Sequence, residues 1–498
     1  MTVTEDAQPW PPGPPPWLDL SVEEPPGAAT LGAAAALGLA TDLAVRSGVA
    51  GFGGVVAVVV ATAALACAGR PRNPQALALV ALAPVFGMWL GLRQSPWLLV
   101  LDVLATAGLL GLAASLWRGG SVLDTDIPAA LAATGRTALH GAAAPAFLAR
   151  AARGATRDGA GDGSGRGAAW VRGAALALPL VIVLSLLLAS ADAVFASLFR
   201  VPGSPSALIG HVVLIGLGAW AGGALLRLAS AAPMAPVQAV QRRLGHLEAS
   251  VVLGALVALY TAFALTQVVA VAGGADHVIE TAGLTYAGYA RSGYFQLLAV
   301  ATLTVGTLLA VRAATARHGG RAERHVAVLG VIAVALTLVI VGVALRRLHL
   351  YEQAFGLTML RLYSAVFAGW LAVVLGALGL SLAGVVAHRS WFLSAVVSTG
   401  LAVLLGLNAT NPEAVVVRHN LAAAANGARY DGAYLSGLSD DAVPAMVAGL
   451  PELAPPAREA LRSSLCRRPR HSGGGLWAAN ASRAAAGAAL DRTCPERG

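Results

Sequence analysis

Val326-Ala-Val-Leu-Gly-Val-Ile-Ala-Val-Ala-Leu-Thr-Leu-Val-Ile-Val-Gly-Val-Ala-Leu345 is a run of twenty residues with one hydroxyl and no charge. Arg321 and Arg324 precede it, and Arg346 and Arg347 follow it. An α-helix rises about 1.5 Å per residue, so the run spans about 30 Å, the hydrocarbon thickness of a bilayer. Its apolar residues cover every face of such a helix, which suits lipid on all sides. The stretch reads as a membrane span, and much of the chain repeats it.

Comparable runs occupy residues 28–45, 51–68, 76–92, 97–117, 173–195, 207–228, 250–273, 294–311, 357–385 and 391–407. They predict an all-α polytopic membrane bundle of about eleven transmembrane helices. The first run is the weakest, because it contains Asp42. Asp102 stands near the start of the fourth, and both acids are expected near the membrane interface. The composition agrees, with 57% hydrophobic and only 12% charged residues. Soluble domains carry about 25% charged residues, so this chain could not cover its own surface in water.

Three regions follow. Residues 1–27 are Pro-rich and acidic, with Trp10-Pro-Pro-Gly-Pro-Pro-Pro-Trp17 at their centre, and are expected to be disordered or extended. Residues 28–407 form the transmembrane domain. It includes a polar loop, 118–171, that ends in the flexible linker Arg157-Asp-Gly-Ala-Gly-Asp-Gly-Ser-Gly-Arg166. Residues 408–498 form a small helical tail module. Asn411-Pro412 suits the cap and first residue of one tail helix, and Ser439 or Asp440 the start of another.

Every basic residue is Arg, and the net charge is +9. The arginines lie mainly in loops between apolar runs, so they report topology rather than nucleic-acid binding. Alternating sides from the N-terminus places 17 arginines on the N-terminal side and six on the other before the tail. The positive-inside rule then sets the N-terminus in the cytoplasm of a plasma-membrane protein and the tail outside. An external tail is compatible with a disulfide between Cys466 and Cys494, with two free thiols as the alternative. Cys67 falls within an apolar run.

Polar chemistry gathers at the external ends of the eighth, ninth and tenth runs. Tyr286, Tyr289 and Arg291 precede the eighth. Arg346, Arg347, Tyr351 and Glu352 follow the ninth, and Arg361 and Tyr363 open the tenth. Arg361 lies about one turn inside its helix and needs a partner, for which Glu352 or Glu280 is available. Aromatic and Arg side chains commonly anchor helices at interfaces. The same set would also serve as an anion site, because Arg forks bind phosphate or carboxylate. Asp192 is the sharpest intramembrane acid, and such acids mark ion pairs or proton relays.

Other chemistries are excluded by pattern. The chain has no P-loop, no His-Glu-x-x-His, no Cys/His zinc spacing and no nucleophile elbow, so no cofactor and no metal is expected.

Ser190-Ala-Asp-Ala-Val-Phe195, Leu284-Thr-Tyr-Ala-Gly-Tyr-Ala-Arg291, Leu350-Tyr-Glu352, Arg361-Leu-Tyr363 and Asn411-Pro-Glu-Ala414 with Asn420 are specific as a set and weak one by one. On these motifs, residues 175–450 resemble the actinobacterial membrane proteins grouped as domain of unknown function 4173, which overlaps the 4153 grouping. The resemblance implies an architecture and no activity. The expectation is a non-enzymatic membrane protein of the bacterial envelope, transporter-like or a scaffold or sensor. Its partners would be membrane lipids, with an anionic lipid or an envelope protein at the external rim. The rival is a membrane enzyme acting on a lipid-linked sugar or phosphate.

Overall fold

The computed structural model describes residues 19–23, 25–121, 127–158, 184, 188, 205–233, 244–272, 293–315, 321–385, 391–427, 431–469 and 475–494. It is helical, with no strand among the described residues. The helices are α1 (Ala28–Ser47), α2 (Phe52–Ala64), α3 (Pro74–Leu92), α4 (Pro96–Ser115), α5 (Ile127–Ala142), α6 (Ala144–Asp158), α7 (Pro205–Ala229) and α8 (His246–Ala272). They continue with α9 (Tyr294–Ala314), α10 (Arg321–Phe355), α11 (Met359–Leu382) and α12 (Trp391–Thr410). The tail adds α13 (Pro412–Ala425), α14 (Gly432–Ser436), α15 (Val443–Gly449), α16 (Pro455–Cys466) and α17 (Ala481–Thr493).

Among the described residues, nine helices are long and apolar enough to cross a membrane: α1, α3, α4 and α7 to α12. The predicted span at 51–68 is a shorter apolar stretch than these nine, a 13-residue helix continued by a 3-10 turn, Leu65–Ala68. The predicted span at 173–195, with Asp192, lies outside the described residues apart from Leu184 and Leu188, which are helical.

The membrane helices form two bundles. Helices α1, α2 and α4 pack with α7, and α3 packs on α2 and α4; α8 to α12 form the second bundle, with α4 meeting α12 between them. In the first bundle, Gly218-Ala-Trp-Ala-Gly222 of α7 lies against α1. A Cβ at Gly218 would stand 2.9 Å from Gly38 Cα, and one at Gly222 3.3 Å from Ala34 Cα. Small residues four apart let two backbones meet, which lipid-embedded helices use in place of hydrophobic collapse. Asp42 is tolerated in α1 because Arg46 Nε donates to it at 2.9 Å and His211 Nδ1 of α7 lies 2.6 Å away.

Two sequence boundaries move. Residues 127–158, read as part of a polar loop, contain the two helices α5 and α6 packed on α7. Ala144, Phe147 and Ala151 of α6 are buried at helical spacing, so the stretch is amphipathic rather than merely polar. The ninth predicted span ends at Leu345, whereas α10 runs on to Phe355. Hydropathy stops at Arg346 but helix propensity does not. The helix ends only at Gly356, whose φ of +75° favours glycine.

The ends of α1, α3, α8, α10 and α12 and the starts of α2, α4, α7, α9 and α11 share one side with the tail. Residues 19–23 share the other with Arg118, Arg136 and Arg227. The tail has its own core, to which Leu357 and Met359 at the α10–α11 turn contribute. Cys466 and Cys494 are joined by a disulfide, Cα atoms 5.5 Å apart, fastening α16 to the end of α17.

Candidate functional site at the tail-side rim

The turn Arg93-Gln94-Ser95 joins α3 to α4. Ser95 caps α4 and Pro96 occupies its first position, but the Ser95 hydroxyl makes no capping bond. The tail supplies the cap instead. Gln94 N–H donates to both Asp441 carboxylate oxygens at 3.0 Å, and Ser95 N–H donates at 2.8 Å. The Ser482 hydroxyl also donates to Asp441, and Asn411 Nδ2 donates to its backbone carbonyl at 2.8 Å. A carboxylate here meets the positive end of the α4 dipole, and satisfies backbone donors that a helix start leaves open.

Complementary contacts close the neighbouring helix ends. Asn480 Nδ2 donates to the carbonyls of Leu90 and Arg93 at 3.2 and 3.1 Å, at the end of α3. Arg93 Nε donates to the Asn408 carbonyl at 2.9 Å, placing a cation at the C-terminal end of α12. Asn420 holds Leu357 from both sides, accepting from its N–H at 2.9 Å and donating to its carbonyl at 2.7 Å. A Cβ on Gly356 would lie 2.5 Å from Asn420 Oδ1, so this position needs glycine for space as well as for φ.

The sequence-predicted cluster divides. Arg361 lies over the Tyr351 ring, 4.0 Å from its centroid, and donates to the Gly356 carbonyl, capping α10. Glu352 lies 3.9 Å from His349 Nδ1 rather than at Arg361. Arg347 Nη1 would stand 2.7 Å from a Cβ on Gly293, at the start of α9, and Arg346 is exposed. Tyr363 turns toward Trp97, ring centroids 6.0 Å apart, and its buried oxygen has no hydrogen-bond partner. Tyr286, Tyr289, Arg291, Glu280 and Asp192 lie outside the described residues.

The acids Asp102 and Glu413 are buried here. Asp102, expected near the interface, is 1% exposed and sits at the α4–α12 contact. Glu413, in the first turn of α13, accepts from the N–H and hydroxyl of Ser439 at 2.8 and 2.7 Å. Ser439 and Asp440 do not cap a helix; α15 begins at Val443, after Ala442. Asn411 does cap α13, accepting from Ala414 N–H at 3.2 Å.

Burial is the main cause that raises the Glu413 carboxyl above the ordinary 4.5; nearby Asp441 adds to it, and the Ser439 bonds oppose it. The fold therefore favours neutral Glu413. Its contribution is fully present below the unfolded value and is lost as pH rises through the folded one. Thermal unfolding in detergent should show wild type losing stability relative to Glu413→Gln as pH rises from mildly acidic to neutral. Parallel pH profiles would refute this.

Two open grooves flank the end of α3. One, of about 850 Å³, lies between α3 and the tail, with alanine-rich walls and Arg93, Arg418, Asp441 and Glu452 in its lining. The other, of about 1160 Å³, is bordered by Phe52, Met88, Leu476 and Arg483. Arg93 and Asp441 are occupied as described, whereas Arg418 and Glu452 are exposed at the groove. Arg418 Nε donates to the Ala414 carbonyl at 3.2 Å.

The opposite rim is also built from buried cations. Arg136 donates to the carbonyls of Asp19 and Ala232, and Arg227 donates to that of Leu20 and contacts His140 Nδ1 at 2.5 Å. Burial first, then Arg227 and Arg136, push His140 down to about 4, so it is neutral at physiological pH. Among the described residues, no group of three or more His, Cys, Asp or Glu could hold a metal ion.

No curated protein and no solved structure matches the chain. A family match covers residues 75–449, from the start of α3 to the end of α15. It includes Arg93, Asp102, Asn408, Glu413 and Asp441, and stops short of the disulfide. The chain belongs to the family described as Domain of unknown function (DUF4153).

Proposed function

We propose that this protein is a multi-pass plasma-membrane receptor or scaffold, with its N-terminus in the cytoplasm and its tail outside. Its working face is the groove between α3 and the tail. The arginine distribution along the sequence supports the orientation. The observation that carries the function is the groove of about 850 Å³, where apolar walls open beside Arg418. Its location at the end of apolar helices suits acyl chains, and Arg418 suits a phosphate. We assign it a phospholipid, held by its phosphate at Arg418. Glu452 in the same lining opposes further negative charge, which narrows the expected anionic lipid toward a zwitterionic headgroup.

Native mass spectrometry of protein exchanged into phosphatidylethanolamine or phosphatidylglycerol nanodiscs tests this. Arg418→Gln should lower phospholipid retention about tenfold, the loss of one charge-assisted hydrogen bond. Glu452→Gln should shift retention toward phosphatidylglycerol. Retention unchanged in both variants would overturn the assignment.

A further inference from the structure

We propose that Asp102 and Asn408 form an intramembrane proton-binding site at the seam between the two helical bundles. Asp102 belongs to α4 and Asn408 to α12, and they are 1% and 0% exposed. Asn408 Nδ2 donates to Asp102 Oδ1 at 2.8 Å and to the Leu404 carbonyl at 3.1 Å. Two acceptors fix which end of the amide is nitrogen. Asn408 Oδ1 is therefore a pure acceptor, and it is buried without a hydrogen-bond partner. Thr106 Oγ1, one turn along α4 from Asp102, is buried and unpartnered as well.

The site's neutral donors are the Asn408 amide, which meets Asp102, and the Thr106 hydroxyl, which is hydrogen-bonded to neither Asp102 nor Asn408. An ionised carboxylate there carries a desolvation penalty that one amide N–H does not offset. A proton bound to Asp102 removes that charge and supplies a donor for the unpartnered Asn408 Oδ1. Carboxylic acid and carboxamide present matching donor and acceptor edges, so the neutral pair joins the bundles without a buried ion.

The surrounding groups do not supply a countercharge. From the α3–α4 turn, Arg93 directs its donors to the Asn408 and Ala409 carbonyls, and the Ser95 hydroxyl is unpartnered. From α11, the Tyr363 phenol lies within electrostatic reach of Asp102, Glu413 and Asp441. Both tail acids are bonded to other donors. Helices α2 and α3 carry no ionisable side chain. The two of α7, His211 and Arg227, meet Asp42 and His140, and Arg136 and His140 of α5 belong to the opposite rim. The bound proton sets whether the seam is held by a neutral pair or strained by a buried charge, which gives the bundles a proton-dependent coupling.

The test uses full-length protein in nanodiscs. Isotope-edited infrared spectroscopy, with aspartate labelled at its carboxyl carbon, should show a protonated carboxylic-acid band at neutral pH. Asp102→Asn should abolish it. If that variant fails to fold, Asn408→Leu should move the band to higher frequency, as an acid without its amide partner. Above the titration midpoint the band should fall about tenfold per pH unit. A band that is missing at neutral pH, or that survives Asp102→Asn, overturns the proposal. A band removed by sodium chloride at constant pH also overturns it, in favour of a sodium ion.

Discussion

Asp441→Ala is expected to release the tail from the membrane domain, at a cost of about 3–5 kcal/mol. The carboxylate is 2% exposed and serves the Gln94 and Ser95 N–H groups and the Ser482 hydroxyl. Alanine supplies none of these acceptors. The two N–H groups would remain at a buried helix start, where water reaches them only if the tail lifts away. Limited proteolysis and thermal unfolding should report the loss together. Asp441→Asn retains one acceptor oxygen and should cost less. Asp440→Ala, one residue earlier, should leave the tail docked. Equal tail protection in Asp441→Ala and wild type would show that the carboxylate is dispensable.

Removing the Cys466–Cys494 bridge should have an effect of similar size. The bridge closes a separation of 28 residues. Loop-closure entropy assigns such a crosslink about 3.5 kcal/mol. The cysteines join α16 to the end of α17; Ser482 in α17 reaches Asp441, and Asn480, its N-cap, reaches the Leu90 and Arg93 carbonyls. Cys466→Ser with Cys494→Ser should expose Arg467 and Arg468 to trypsin and lower the midpoint of tail unfolding. Reduction of the wild-type protein should do the same. Alkylation of Cys466 and Cys494 in unreduced protein, in addition to the free Cys67, or no change in midpoint, would refute this.

These effects arise at a junction that the sequence does not advertise, although it advertises the spans clearly. Lipid demands long uninterrupted apolar runs, and 326–345 meets that demand by itself. The junction has no such local rule. Arg93 bonds across 315 positions to Asn408, Gln94 across 347 to Asp441 and Asn480 across 390 to Leu90. Most of those bonds go to backbone groups, which leave no pattern in residue identity. Arg361 was legible as a charge in need of a partner. Its partners, an aromatic face and a carbonyl, became visible only through the left-handed turn at Gly356. Asp102 resembled an interface acid because its position in the run is early. Its burial depends on a helix about three hundred residues later.

The 35-residue helix α10 has one more consequence. At about 1.5 Å per residue it is a rod of about 52 Å, longer than the hydrocarbon layer is thick. One end carries Arg321, and the other is tied through Gly356 and Leu357 to Asn420 of the tail. No proline interrupts it. Arg321 and the tail anchor are therefore the two ends of one continuous helix, set about 52 Å apart.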